Sequence, residues 1–215
     1  MDAMMLEMPR PTWRGRMHAW TFALAVPAGA ILVAASQGVA ARVSAAIYAI
    51  GLLAVFGTSA AYHRLAHSPQ ARLVMQRLDH SMIYLLIAAT YVPICVVALP
   101  SAWGVPLLGV VGTLGLIGMT RQLVAPHRAP KLANALYPIM GWAAVATAPA
   151  LADNLTAAQL TLIVAGGVAY TLGFPVLLLH RPDPWPGTFG YHEVWHVFTI
   201  VAAALHFAAI ATLVA

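Results

Sequence analysis

Long uninterrupted runs of apolar residues constrain this chain more than any other feature of its sequence. A helix needs about 20 residues to cross a hydrocarbon layer about 30 Å thick. Seven runs of about this length fall near 19–37, 43–63, 79–99, 102–120, 132–151, 158–179 and 191–214. Because lipid offers no partners for backbone polar groups, each run must be a helix, and the lack of alternation excludes a β-barrel. The sequence therefore predicts an all-α, polytopic membrane protein with a bundle of seven transmembrane helices.

The composition supports insertion in a membrane and argues against nucleic acid as a partner. Hydrophobic residues make up 61% of the chain and charged residues 8%, far outside the range of soluble proteins. The formal net charge is +5, but the basic residues lie in short loops rather than on one exposed face. The single cysteine, Cys95, lies inside an apolar run, so no intramolecular disulfide can form. The expected partners are membrane lipids.

The basic residues predict the orientation in the membrane, because Lys and Arg accumulate in loops that stay in the cytoplasm. With the N-terminus inside, ten of the 11 Lys and Arg residues fall in inside segments, and only Arg42 falls outside. We therefore expect a multi-pass protein of the cell (inner) membrane, with its N-terminus cytoplasmic and its C-terminus outside. The alternative is a cleaved signal peptide ending near Ala34 and Ser36, which would leave the later loops in place.

The chain shows no internal repeat and no domain boundary. We predict a cytoplasmic segment over 1–18 and a single seven-helix membrane domain over 19–215; the sequence leaves the oligomeric state open. Several prolines lie within or near the spans and predict kinks rather than breaks, because neighbouring helices can satisfy the freed carbonyls. These are Pro27, Pro93, Pro106, Pro138, Pro149 and Pro175.

The few ionisable residues of the spans gather at one depth. Such residues are expensive in a membrane, so each is a functional hypothesis. Ser59 and His63 lie four residues apart, on one face of the second span at its inner end. Asp79 opens the third span, and His192 and His196 share a face at the start of the seventh. The topology was derived without His or Asp, yet it brings these side chains to one level near the cytoplasmic surface.

Three imidazoles near one point predict a Zn²⁺ site with His63, His192 and His196 as its ligands. Zinc favours tetrahedral nitrogen and oxygen coordination, and its catalytic sites combine three protein ligands with an open position. Asp79 is the fourth candidate, either as a direct ligand or as the residue that holds a water molecule. Ser59 would hydrogen-bond that water.

Other interpretations remain open for these polar residues. Asp79 could be favoured simply by the dipole at the start of a helix, or could pair with Arg77 or His80. Ser59 could bond back to a carbonyl of its own helix, and the histidines could be interfacial residues bonded to carbonyls and headgroups. His18, His127 and His180 are predicted to be interfacial, whereas His67 and His80 are candidates to support the site.

The seventh span raises two further questions. His206 follows His196 by ten residues, about 15 Å along a helix, which is too far for the same ion and predicts packing or a separate polar contact. The string from His192 to His196, HEVWH, also fits the H-E-x-x-H pattern of zinc proteases, with Glu193 as general base. The membrane setting and the distant third ligand make intramembrane proteolysis a minor alternative.

Three motifs carry a resemblance to a known family. They are SAAYH from Ser59 to His63, RLDHSMIYLLIAATYVP from Arg77 to Pro93, and YHEVWHVF followed by His206-Phe207. In this order and at these ends of the spans, they resemble the hemolysin III family of bacterial membrane proteins. That family belongs to the progestin and adipoQ receptor (PAQR) superfamily and is more distantly related to the alkaline ceramidases.

The resemblance implies a seven-helix fold with zinc in its cytoplasmic half. The adiponectin receptors of this superfamily bind zinc through one histidine of the second span and two of the seventh, which match His63, His192 and His196. Their third-span aspartate and second-span serine, which match Asp79 and Ser59, surround the metal and its water. They carry no acid at the position of Glu193, which argues against a required catalytic role there.

The leading functional hypothesis is a zinc-dependent hydrolase of a lipid amide or ester, similar to a ceramidase, with Asp79 as general base and Ser59 as hydrogen-bond partner. A second hypothesis is a non-catalytic regulator of membrane lipid or energetic homeostasis, in which zinc stabilises the bundle. A third is a pore-forming cytolysin. The spans lack the polar stripe that a pore would need.

Overall fold

The computed structural model describes residues 11–126 and 130–215, and within those ranges the chain is helical apart from loops and one isolated bridge between Trp185 and Phe189. Seven of its helices are long and apolar enough to cross a membrane, which confirms the predicted all-α fold. We number these spans first to seventh: Arg16–Ala35, Gly38–Leu65, Pro69–Ala98, Ser101–Val124, Leu132–Asn154, Ala157–Leu179 and Tyr191–Val214. The predicted loop residues Arg10, His127 and Arg128 lie outside the described residues.

Several helices begin earlier than their apolar runs predict, and two of these differences bear on the site. The third span starts at Pro69 rather than Asp79, because the Ser68 hydroxyl accepts the Ala71 N–H at 3.1 Å and Pro69 suits the first helical position. Asp79 therefore lies well inside the helix, and the dipole interpretation does not apply to it. The first span starts at Arg16, so His18 is part of the helix and not of a preceding segment. A hydropathy window does not detect a first helical turn made of polar residues, so it places the start of such a helix too late.

The fifth span is a broken helix, contrary to the prediction that its prolines would only kink it. It consists of an α-helix over Pro130–Gly141, a 3₁₀ segment over Ala143–Thr147 and a short α-helix over Ala148–Asn154. Tyr91 on the third span supplies the missing partners: its hydroxyl donates to the Met140 carbonyl at 2.8 Å and accepts the Ala144 N–H at 3.1 Å. The third span itself ends in a π-helical turn, Ile94–Ala98.

Replacement of Tyr91 by phenylalanine should destabilise this break. The substitution removes the partner of a buried carbonyl, which costs about 1–3 kcal/mol, and of the half-buried Ala144 N–H, which costs less. The expected result is a lower melting temperature of the purified protein in detergent. Tyr170→Phe is the matched control, because no hydrogen bond of its hydroxyl is found among the described residues; equal melting temperatures for the two variants would contradict the assigned role.

Most helices that are neighbours in sequence pack side by side, the fifth and sixth spans being the exception, and the first span also contacts the seventh. One apolar cluster joins the third, fourth and fifth spans, and a second joins the first, second and seventh. Contacts between the fifth and sixth spans are concentrated in the short helix Ala148–Asn154. Outside this short helix, the Trp142 Nε1–H of the fifth span donates a hydrogen bond to Thr171 Oγ1 of the sixth span at 3.0 Å.

Candidate metal centre

Three histidines from two distant parts of the chain meet at one end of the bundle. His63 lies in the last turn of the second helix, and His192 and His196 lie in the first two turns of the seventh. One ring nitrogen of each can be chosen so that all three lie within 4.8 Å of one another, and Nε2 of His63 is 3.2 Å from Nε2 of His192. The spacing of four residues within the seventh span puts its two histidines on one face. The cluster could hold a metal ion.

Ser59 and Asp79 lie beside the cluster, but Asp79 is not one of the three grouped ligands. Both side chains are buried, and both line the polar end of one cavity. Ser59 lies one helical turn before His63, and Asp79 reaches the same level because the third helix runs on from Pro69. The structure thus places a carboxyl group and a hydroxyl together next to the histidines.

His18 is a member of this group that the sequence prediction missed. Its ring is 4% exposed, stacks on the ring of His196 with centroids 3.7 Å apart, and has its Nδ1 2.8 Å from the Ser59 hydroxyl. The hydropathy run starts at residue 19, so the prediction assigned His18 to the membrane interface. No local pattern in the sequence could have shown this, because His18 meets Ser59 and His196 only when the first span packs against the second and the seventh.

Glu193 sits next to His192 in sequence but serves a structural contact. Its side chain is 0% exposed. One carboxylate oxygen accepts the Nε–H of Arg14 in an ion pair, and the other accepts the N–H of Gly190 at 2.9 Å. With both oxygens engaged, Glu193 has no free carboxylate to serve as the base of the H-E-x-x-H interpretation.

Each of the remaining described histidines either makes a specific polar contact or is exposed. His206 has its Nε2 3.1 Å from the Ile163 carbonyl, which is the separate polar contact that its distance from His196 predicts. Two neighbours contact His80. Its Nδ1 lies 3.0 Å from the side-chain amide nitrogen of Gln122, and its backbone carbonyl accepts a hydrogen bond from the Tyr137 hydroxyl at 3.2 Å. His67 and His180 are exposed.

A cavity of about 300 Å³ extends from the histidines into the bundle. Its polar end contains Ser59, Asp79, His192 and His196. The rest of its wall is largely apolar and aromatic, and it reaches His206 about three turns further along the seventh span. Its wall also includes Trp142 and Thr171, which are exposed and lie where the fifth and sixth spans have few contacts. The cavity has the size and lining of a small-molecule pocket.

Comparison with known proteins gives consistent matches over most of the chain. A family model described as "Haemolysin-III related" matches residues 6–207. Hemolysin-3 of Bacillus cereus is 32% identical over 187 residues, covering 86% of this chain and 82% of that protein. Heptahelical transmembrane protein ADIPOR2 of Oryza sativa subsp. japonica is 31% identical over 182 residues, covering 76% and 79%. Monocyte to macrophage differentiation factor of Homo sapiens is 27% identical over 206 residues, covering 90% and 79%.

Proposed function

Because this chain belongs to the haemolysin III related family, within the PAQR superfamily of membrane proteins, we propose that it is a zinc-dependent hydrolase of a membrane lipid amide or ester. One observation carries the proposal: Ser59, Asp79, His192 and His196 form the polar end of a cavity, with His63 grouped beside the two histidines, and the far wall of that cavity includes exposed residues of the fifth and sixth spans. A bond near a lipid headgroup could reach the polar end while its acyl chain occupies the apolar part.

The histidine cluster suits zinc in its donor set and its spacing. Two nitrogens bound to one tetrahedral zinc at 2.0–2.1 Å stand about 3.3 Å apart, and Nε2 of His63 and Nε2 of His192 are 3.2 Å apart. The Nδ1 atom of His196 is buried and has no hydrogen-bond partner in the described part of the chain. Imidazole is a ligand that suits zinc and other late transition metals, whereas magnesium and calcium prefer oxygen ligands. His63, His192 and His196 would hold the ion, leaving a position open.

The chain's own residues would handle the proton. Asp79 takes a proton from the attacking water, whose oxygen forms the new bond to the acyl carbon, and the Ser59 hydroxyl, which lines the same end of the cavity, would hydrogen-bond that water. The C–N or C–O bond of the lipid then breaks, and the proton passes to the leaving nitrogen or oxygen. A bound zinc ion would supply polarisation of the acyl carbonyl and would make the attacking water more acidic.

We place the site at the cytoplasmic surface of the cell inner membrane. The support comes from the excess of Arg and Lys in the loops at that end of the bundle. In this orientation the N-terminus is cytoplasmic, the C-terminus is outside, and lipid reaches the cavity laterally from the inner leaflet.

The test of this function is hydrolysis by the purified wild-type protein in vesicles that carry a panel of amide-linked and ester-linked lipids. Fatty acid release, measured by mass spectrometry, should require zinc, stop on chelation and recover when zinc is returned. Protein that holds stoichiometric zinc but changes no lipid in the panel would contradict the proposal.

That contradictory outcome would favour a second function, a non-catalytic regulator of membrane state. The observation behind it is that the three histidines join the second span to the seventh, so a bound ion would link helices far apart in sequence. Metal binding would then stabilise the bundle. Chelation should lower the melting temperature without any effect on lipid composition.

A further inference from the structure

The segment that leads into the first span is docked along the candidate metal centre. We refer to residues 12–18 as the N-terminal clasp. Its backbone pairs with the loop before the seventh span: the N–H of Thr12 donates to the Gly187 carbonyl at 3.0 Å, and the N–H of Trp13 donates to the Thr188 carbonyl at 3.1 Å. The clasp is therefore fixed to the polypeptide that leads directly to His192.

Arg14 ties the clasp to the seventh span itself. Its guanidinium donates to Glu193, which is fully buried and also accepts the N–H of Gly190. A buried carboxylate is stable only when it is paired and hydrogen-bonded, so the first turn of the seventh helix depends on the presence of Arg14. That turn carries His192.

Gly15 brings the backbone of the clasp onto the second span. A Cβ atom on Gly15 would lie 2.6 Å from Cβ of His63 and 3.1 Å from Cγ of Arg64. The residue also has a φ of 74°, in the left-handed region that favours glycine. Glycine at this position allows the main chain to lie directly against the side chain of His63.

His18 completes the contacts on the side of His196. Its ring stacks on the His196 ring with an interplanar angle of 15°, and its Nε2 lies 3.3 Å from the Thr199 hydroxyl, which donates to the His196 carbonyl at 2.8 Å. Through Nδ1 it also contacts Ser59. His18 thus restricts both the plane of the His196 ring and the position of the Ser59 hydroxyl.

We propose that the N-terminal clasp is the retaining element of the metal centre, with His18 as a positioning residue. It holds His63 and His196 in place and covers the site at this end of the bundle, so that the metal is released only when the clasp separates from the second and seventh spans. The inference rests on the proposed zinc site and is independent of whether the site hydrolyses lipid. Substitution of a residue that orients a metal ligand commonly lowers metal affinity by about 10–100-fold.

Zinc release into excess chelator tests this role. Wild type, His18→Ala and His67→Ala are loaded with zinc in nanodiscs, and release is followed with a chromogenic chelator. We expect His18→Ala to release zinc at least about tenfold faster than wild type. His67→Ala, which removes an exposed histidine at the end of the second helix, should release it at the wild-type rate.

Wild-type protein gives a second measurement if His18→Ala does not fold. Whatever the clasp contributes to metal binding, the metal must contribute equally to clasp closure. Zinc should therefore slow amide hydrogen exchange over residues 12–18, where the Thr12 and Trp13 N–H groups are paired.

Equal release rates for wild type and His18→Ala, or exchange over residues 12–18 that zinc does not change, would overturn the role of the clasp while the zinc site stands. A wild-type protein that binds no zinc would overturn the metal centre and the clasp together. Zinc binding without lipid hydrolysis would remove only the proposed reaction, because release and exchange are measured without turnover.

Discussion

Replacing His196 with alanine is expected to reduce bound zinc from about one ion per chain to a small fraction of that value, because three protein ligands are the usual minimum of a zinc site. His196 is buried, and its Nδ1 has no hydrogen-bond partner in the described residues, so this nitrogen is available to bind a metal ion. The measurement is metal analysis of purified protein after removal of loosely bound ions. His63→Ala and His192→Ala should give the same result.

His206→Ala provides the matched control on the same helix. His206 lies about 15 Å from His196 along the helix axis and contacts the Ile163 carbonyl, so its loss should leave the zinc content unchanged. Equal zinc in wild type and in all three cluster variants would remove the metal centre from consideration. Loss of zinc in His206→Ala as well would indicate a general effect on the bundle and would contradict a site confined to the three histidines.

Replacing Asp79 with asparagine is expected to lower the rate of lipid hydrolysis by about 10²–10⁴-fold, the usual contribution of a general base. Asparagine keeps the size of the side chain, but it cannot take a proton from water. The bound zinc should remain, because Asp79 is not one of the three grouped ligands. Hydrolysis rate and zinc content, measured on the same preparation, separate the loss of the base from the loss of the metal.

Asp153→Asn is the control, because it makes the same change from carboxylate to amide at a position outside the site. Asp153 is an exposed residue near the end of the fifth span, and it is not part of the cavity wall. This variant should hydrolyse lipid at the wild-type rate. Undiminished turnover in Asp79→Asn, with zinc still bound, would exclude Asp79 as the base and require another proton acceptor.

The sequence was sufficient for those parts of the site that depend on local periodicity and depth. His63 follows Ser59 by one helical turn, and His196 follows His192 by one turn, so each pair had to share a face once its segment was helical. Hydropathy then fixed which ends of the spans lie at the same level. The sequence argued against a required catalytic role for Glu193, but it did not show which group pairs with this carboxylate.

The remaining parts of the site depend on which helices lie side by side. Arg14 and Glu193 are 179 residues apart, and His18 and Ser59 are 41 apart. No short-range pattern connects such positions, because the contact of the first span with the seventh arises only when the bundle assembles. The break in the fifth helix likewise depends on a distant residue, because Tyr91 stabilises it from the third span.

The sequence by itself thus determined seven helices and the level of five polar side chains, since a membrane restricts both the backbone and the depth of charge. Only the tertiary structure decided that the His18 ring stacks on His196, that Glu193 pairs with Arg14, and that a cavity extends from the histidines to exposed residues of the fifth and sixth spans. The physical reason is that lateral packing of apolar helices depends on the fit of their side chains, which hydropathy does not record.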